Sequence, residues 1–226
     1  MAAMPRVGLE SWLVAARMDY VKDPRAIHRA SFEIIEREAA LDGFSGPARA
    51  LAVRIVHACG MIDAIRDLVL SPGAAELGVR VLRGGAAIIA DAEMVASGIV
   101  RSRLPAGNPV LCGLRETKRD GGARVVGNTR SAAGIDLLRH RLGGSVVAIG
   151  NAPTALFRLL ELIDEGAPKP AMILGFPVGF VGAAESKRAL ADGDRGVPFA
   201  TLLGRRGGSA MAAAAVNALA GHEGDI

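Results

Sequence analysis

Short apolar runs at residues 86–90, 110–114, 146–149, 172–176 and 199–203 alternate with helical segments, and this alternation limits the possible folds more than any other feature of the chain. The intervening or following stretches 91–101, 129–139, 153–165, 183–192 and 209–219 read as helices, after a helical first quarter spanning 24–41 and 47–59. Strands and helices that take turns in this way predict an α/β fold, a mostly parallel sheet with helices on both faces. Three of the runs lead into polar or glycine-rich residues: Ile88-Ile89-Ala90 into Asp91-Ala92-Glu93-Met94, Val147-Ala148-Ile149 into Gly150-Asn151-Ala152-Pro153-Thr154, and Ile173-Leu174 into Gly175-Phe176-Pro177-Val178-Gly179-Phe180. All three lie at carboxyl ends of strands. In doubly wound sheets ligands bind in the crevice beyond those ends, where loops and helix N-termini present N–H groups.

With 50% of its 226 residues hydrophobic, the chain can bury a large core, and its length fits one compact domain or a domain with a helical appendage. The longest apolar stretches, such as 87–90 and 210–216, fall short of the roughly 18 residues a membrane span needs. The start of the chain, with Glu10 close before Trp12, is a poor secretion signal. A soluble cytoplasmic protein with no membrane partner is expected. Cys59 and Cys112 lie far apart and match no disulfide framework or zinc spacing, which predicts reduced thiols. A net charge of +4 could suggest nucleic acid, but the basic residues form no run and only 4% of residues are aromatic, so no nucleic-acid partner is expected. Of 27 basic residues, 23 are arginine and only Lys22, Lys118, Lys169 and Lys187 are lysine. That balance suits carboxylate or phosphate binding, although coding bias explains it equally well.

The stretch Arg-Ile-Val-His-Ala-Cys-Gly, from Arg54 to Gly60, sets a guanidinium and an imidazole one helical turn apart just before a glycine stop. Imidazole gives and takes protons near neutrality, and arginine matches a carboxylate bidentately. The pair suits acid/base work on an acidic substrate; a histidine near a helix end can equally be structural. Arg130 follows Asn128 and Thr129 at a helix start, where it is a surface residue or completes an anion site with N–H groups behind it. Asn151 and Pro153 are ordinary helix-entry residues or part of a second such site. Ser31, on the first long helix, has no base adjacent in sequence. The glycine-rich segment 175–187 ends in Glu185-Ser186-Lys187 and lacks the Gly-Lys-Ser/Thr ending of a phosphate loop. No Gly-x-Gly-x-x-Gly follows a strand, and His28, His57, His140 and His222 form no zinc spacing.

Taken together the motifs resemble the precorrin-8X methylmutase family of cobalamin biosynthesis. The blocks that carry the resemblance include Arg-Ala-Ser-Phe at 29–32, Val-Arg-Ile-Val-His-Ala-Cys-Gly at 53–60, Gly-Asn-Ala-Pro-Thr-Ala-Leu at 150–156 and Pro-Val-Gly-Phe-Val-Gly-Ala-Ala-Glu-Ser-Lys at 177–187. They run in order over some nine tenths of the chain. The resemblance implies a flavodoxin-like three-layer α/β/α fold with a doubly wound sheet and a helical N-terminal segment, and a homodimer. It implies an isomerase that moves a methyl group from C-11 to C-12 of ring C of precorrin-8X to give hydrogenobyrinic acid, with no metal or other cofactor. His57 falls on the proton donor or acceptor, and Ser31 and Arg54 fall on substrate-contacting positions. The acetate and propionate arms of such a substrate would also find partners in Arg130 and Lys187 and in the N–H groups around Asn128 and Asn151. Residues 1–18 then read as an N-terminal extension, 19–220 as a single domain, and 221–226 as a C-terminal tail. The same motifs also fit the rearrangement of cobalt-precorrin-8, and a non-catalytic corrinoid carrier would share the binding residues.

Overall fold

The computed structural model describes residues 19–114 and 128–221; Gly127 and the charged stretch 116–124 lie outside the described residues. Helix α1 (Pro24–Glu38) starts where Asp23 accepts hydrogen bonds from the N–H groups of Arg25 and Ala26, with Pro24 pre-set for the first turn. Helix α2 (Gly46–Cys59) ends at Gly60, whose φ of 67° is the left-handed geometry of a helix stop. Then follow a 3₁₀ turn (Ile62–Asp67), β1 (Leu68–Leu70), α3 (Ala74–Arg83), β2 (Ile88–Ala90), α4 (Glu93–Gly98), a 3₁₀ turn (Arg101–Arg103) and β3 (Val110–Cys112). The second half carries α5 (Arg130–Leu137), a 3₁₀ turn (Arg139–Arg141), β4 (Val146–Ile149), α6 (Pro153–Asp164), β5 (Met172–Gly175), α7 (Ala183–Asp192), β6 (Phe199–Leu202) and α8 (Ser209–Ala220).

The six strands form one sheet in the order β1-β6-β5-β4-β2-β3. The five strands β2 to β6 are parallel and β1 is antiparallel to β6. Numbering only the parallel strands in chain order gives 2-1-3-4-5, the flavodoxin-like doubly wound arrangement, whose order reverses between β2 and β4. Side chains alternate between two cores. Ile88, Ala90, Val146, Ala148, Met172 and Leu174 pack in the core with α2, α3, α4 and α8; Ile89, Val147, Ile149 and Ile173 pack in the core with α5, α6 and α7. Helix α1 lies outside α2, burying Phe32 and Ile35 against it.

The expected strands and helices are present with slightly shorter ends, and among the described residues one strand and one α-helix are additional. Strand β1 is only three residues long, and α3 begins after Pro72-Gly73 and carries Gly78 within it. Gly78 is where α3 meets the sheet and α8: a Cβ there would stand 2.7 Å from Leu219 Cδ1 and 2.8 Å from Met172 Sδ. Among the described residues no helix is long and apolar enough to cross a membrane.

Candidate active site at the carboxyl edge of the sheet

The sheet register fixes where α2 ends. Leu68 stands opposite Leu202, at the carboxyl end of β6, and the N–H of Leu203 donates to Asp67 O at 2.8 Å. The 3₁₀ turn and the last turn of α2 therefore sit at the same edge as the loops after β2, β4 and β5. His57 stands in that last turn and is exposed, while Arg54 one turn earlier is half-buried.

The imidazole is held by α1. Ser31 Oγ lies 2.8 Å from His57 Nδ1. The buried ring of Phe32 meets the His57 ring edge-on with centroids 5.3 Å apart, and the Arg54 guanidinium lies 5.6 Å from the same Phe32 ring. His28 stacks on Phe32 at 4.1 Å and approaches the His57 ring at 5.6 Å. Residues 28, 31, 32 and 35 share one face of α1, so packing α1 on α2 brings a hydroxyl and two rings to Arg54 and His57 in the last turns of α2. Beside His57 a depression of about 290 Å³ is bounded by Ser31, Ile34, Ile35, Glu38, Val56, Gly60 and Ile62.

A second cluster occupies the point where the strand order reverses. Asp91, 2% exposed at the end of β2, accepts hydrogen bonds from the N–H groups of Gly150 (2.9 Å), Asn151 (3.0 Å) and Ala152 (2.7 Å) at the end of β4. Burial pushes its carboxyl above the ordinary value, and the three donors pull the other way. These N–H groups were expected to meet the substrate; they are instead occupied by Asp91. Next to them the Thr129 and Thr154 hydroxyls share a 2.7 Å hydrogen bond that joins the starts of α5 and α6. Thr129 caps α5 through the N–H of Ala132, and Asn128 Oδ1 accepts from the N–H of Thr129. Arg130 and Asn128 are exposed here and Asn151 is half-buried, so these three polar residues belong to one loop cluster.

Lys187 differs from expectation. It is 0% exposed, and its ammonium donates to Arg206 O rather than standing at the surface for an anionic arm. The physical reason is its place on α7: Ala183, Lys187 and Leu190 share the inward face of that helix. Burial pulls the Lys187 pKa down to about 8, against the opposing pull of Asp67. Arg206 in turn reaches Asp63 at 2.7 Å and Asp67 at 2.6 Å, and its guanidinium holds the Asp63 carboxyl below the ordinary value. Lys187 and Arg206 thus tie the loop after β6 to the 3₁₀ turn that follows α2. Exposed apolar side chains complete the edge: Met94, Val178, Phe180 and Val181, with the Arg205 guanidinium 5.5 Å from the Phe180 ring.

A family model described as precorrin-8X methylmutase matches residues 26–222. The chain belongs to this family. A precorrin-8X methylmutase of Pseudomonas aeruginosa is 60% identical over 203 residues, covering 90% of this chain and 98% of the relative. A cobalt-precorrin-8 methylmutase of Priestia megaterium is 35% identical over 197 residues, 87% of each chain. The crystal structure of precorrin-8X methyl mutase from Thermus thermophilus superposes with a TM-score of 0.78 at 38% identity, covering 87% of this chain and 94% of that one. Members of the precorrin-8X methylmutase family are methyl-transferring isomerases of cobalamin biosynthesis. Within this methylmutase chain, the sequence pattern puts Asp91 at a strand end and Phe32 and His28 on the first helix but assigns none of the three a role in the site. Asp91 had a usable signal, a carboxylate placed directly after an apolar strand that must emerge in the crevice. Phe32 and His28 had a weaker one, their i+1 and i−3 spacing from Ser31.

Proposed function

We propose that this chain moves the methyl group from C-11 to C-12 of ring C in metal-free precorrin-8X, giving hydrogenobyrinic acid, with His57 as the general acid/base. The observation that carries the reading is the 60% identity extending over 98% of a precorrin-8X methylmutase, against 31–38% for cobalt-precorrin-8 methylmutases. The geometry fits the chemistry. The reaction is an isomerisation, so the methyl carries its bonding pair to the neighbouring carbon, and any proton lent to the macrocycle must be recovered. An exposed imidazole at the crevice edge can lend and recover it. Arg54 beside it, with Arg130, Asn128 and Asn151 in the switch-point loops, would take the carboxylate arms, and Ser31 would act next to His57. The exposed Met94, Val178, Phe180 and Val181 suit the apolar faces of a large ring. Lys187 serves by holding the loop after β6.

We place the enzyme in the cytoplasm as a homodimer. Tyr20, Val21, Ile27 and Ile34 leave apolar surface exposed on and before α1, and the depression at His57 is too small to enclose a corrin by itself. Residues 19–220 then act as one domain with short extensions at either end.

The test is anaerobic incubation of the purified protein with metal-free precorrin-8X, following the visible spectrum for hydrogenobyrinic acid. His57→Ala should lose turnover and still bind the product. Turnover only on the cobalt-bearing substrate would move the enzyme to the anaerobic reaction, and binding without rearrangement would make it a carrier. Light scattering of the eluting protein gives the oligomeric state.

A further inference from the structure

The geometry points to Ser31 as the positioning residue that sets the tautomer of His57, keeping hydrogen on Nδ1 so that Nε2 can both give and take the proton of the rearrangement. This rests on the proposed acid/base role of His57. Three observations converge. Ser31 Oγ is 2.8 Å from Nδ1 and makes no other hydrogen bond among the described residues, although serines within helices commonly bond back to their own carbonyls. Among the described residues Nε2 has no hydrogen-bond partner, and the ring is exposed on the side of the depression that Ser31 and His57 line. Turning of the ring is resisted by the edge contacts of Phe32 at 5.3 Å and His28 at 5.6 Å.

The direction of the hydrogen bond follows from the chemistry. Substrate and product are isomers, so the group that protonates the macrocycle must take a proton back. If Ser31 donated to Nδ1, the neutral ring would carry its hydrogen on Nε2 and could accept nothing there. If Nδ1–H donates to Ser31 Oγ, the neutral ring presents a bare Nε2 and the imidazolium presents Nε2–H, and neither state requires the ring to flip. A hydroxyl does this without adding a charge beside the imidazolium.

Two-bond nitrogen–proton spectra of the full chain with ¹⁵N-labelled histidine test this at about pH 9, where side-chain imidazoles are neutral. The His57 signals are identified by their loss in His57→Gln. Expected are a protonated Nδ1 and a bare Nε2 in the wild type, a shift toward Nε2–H in Ser31→Ala, and the wild-type pattern in Ser31→Thr. Alongside, Ser31→Ala should lower kcat roughly 100-fold, the low end of what a positioned acid or base contributes, with KM within about twofold and Ser31→Thr restoring most of the rate. Alanine at this helix position does not threaten folding. A wild-type ring protonated on Nε2, or a tautomer that Ser31→Ala leaves unchanged, overturns the assignment. So does a Ser31→Ala variant whose loss lies entirely in KM. Turnover that survives His57→Ala would instead sink the proposed acid/base role while the nitrogen shifts still reported the hydrogen bond, so the two failures look different.

Discussion

Replacing Asp91 by alanine tests whether one carboxylate organises the switch point. In the wild type its two oxygens accept three backbone hydrogen bonds from Gly150, Asn151 and Ala152. Each hydrogen bond to a charged group contributes about 1.5–3 kcal/mol, and each buried donor left bare costs about 1–3 kcal/mol. Gly150 is buried, whereas Asn151 and Ala152 are half-buried and can be rehydrated once the carboxylate is gone. Burial of the ionised carboxyl, which pushes its pKa up, offsets part of the gain in the wild type. Counting the Gly150 donor in full and the other two in part gives a loss of about 3–5 kcal/mol. For a domain of this size that lowers Tm by roughly 6–20 °C. Asp91→Asn keeps the shape but turns an amide NH₂ toward an N–H donor, so it too should destabilise.

Urea unfolding followed by far-UV circular dichroism gives the midpoint and slope for each variant. An Asp91→Ala protein within about 1 kcal/mol of the wild type would refute the reasoning, because three occupied donors could not then be worth what ordinary charged hydrogen bonds are worth. A second reading comes from the site. Gly150 leaves no room to relax inward, since a Cβ there would meet Val95, Ala212 and Ser209 at 2.7–2.8 Å, so a freed loop must move outward and carry Asn151 with it. Product affinity should fall along with stability.

Other outcomes follow from the same structure. Native Lys187 has a pKa of about 8 against an ordinary value of 10.5, so between those values the unfolded chain binds more protons and stability should rise with pH across the window, by about 2–4 kcal/mol; Lys187→Met should flatten that rise in urea midpoints measured at pH 7.5 to 10. Arg54→Ala should weaken product binding by about 1.5–3 kcal/mol if its guanidinium meets a carboxylate arm, read by calorimetry as a rise of roughly 10- to 150-fold in Kd. Gly207→Ala would put a Cβ 2.4 Å from Phe176 O and 2.5 Å from Pro177 O, so it should cost about 1–3 kcal/mol in thermal unfolding.

How far the sequence reached depended on whether a residue's role is set within its own element. Ile88, Val146 and Met172 announce strands because their runs are apolar, and the parallel order follows from helices that separate them. Leu68–Leu70 was too short to announce itself, and α3 was masked by the glycine its packing requires at position 78. Arg54 and His57 could be paired by spacing alone because they lie one turn apart on α2. The partner of His57 could not be read that way: Ser31 is 26 positions earlier, and only the packing of α1 on α2 brings its hydroxyl to Nδ1. The same distinction accounts for the two corrections. The N–H groups of Gly150 to Ala152 looked available because nothing local occupies them, yet a carboxylate 59 residues away does. Lys187 looked like a surface cation because lysine usually is one, yet its spacing from Ala183 and Leu190 had already put it on the buried face. A crevice built where strands from separate parts of the chain converge therefore shows its reactive groups in sequence, and hides the groups that hold them until the strand order is known.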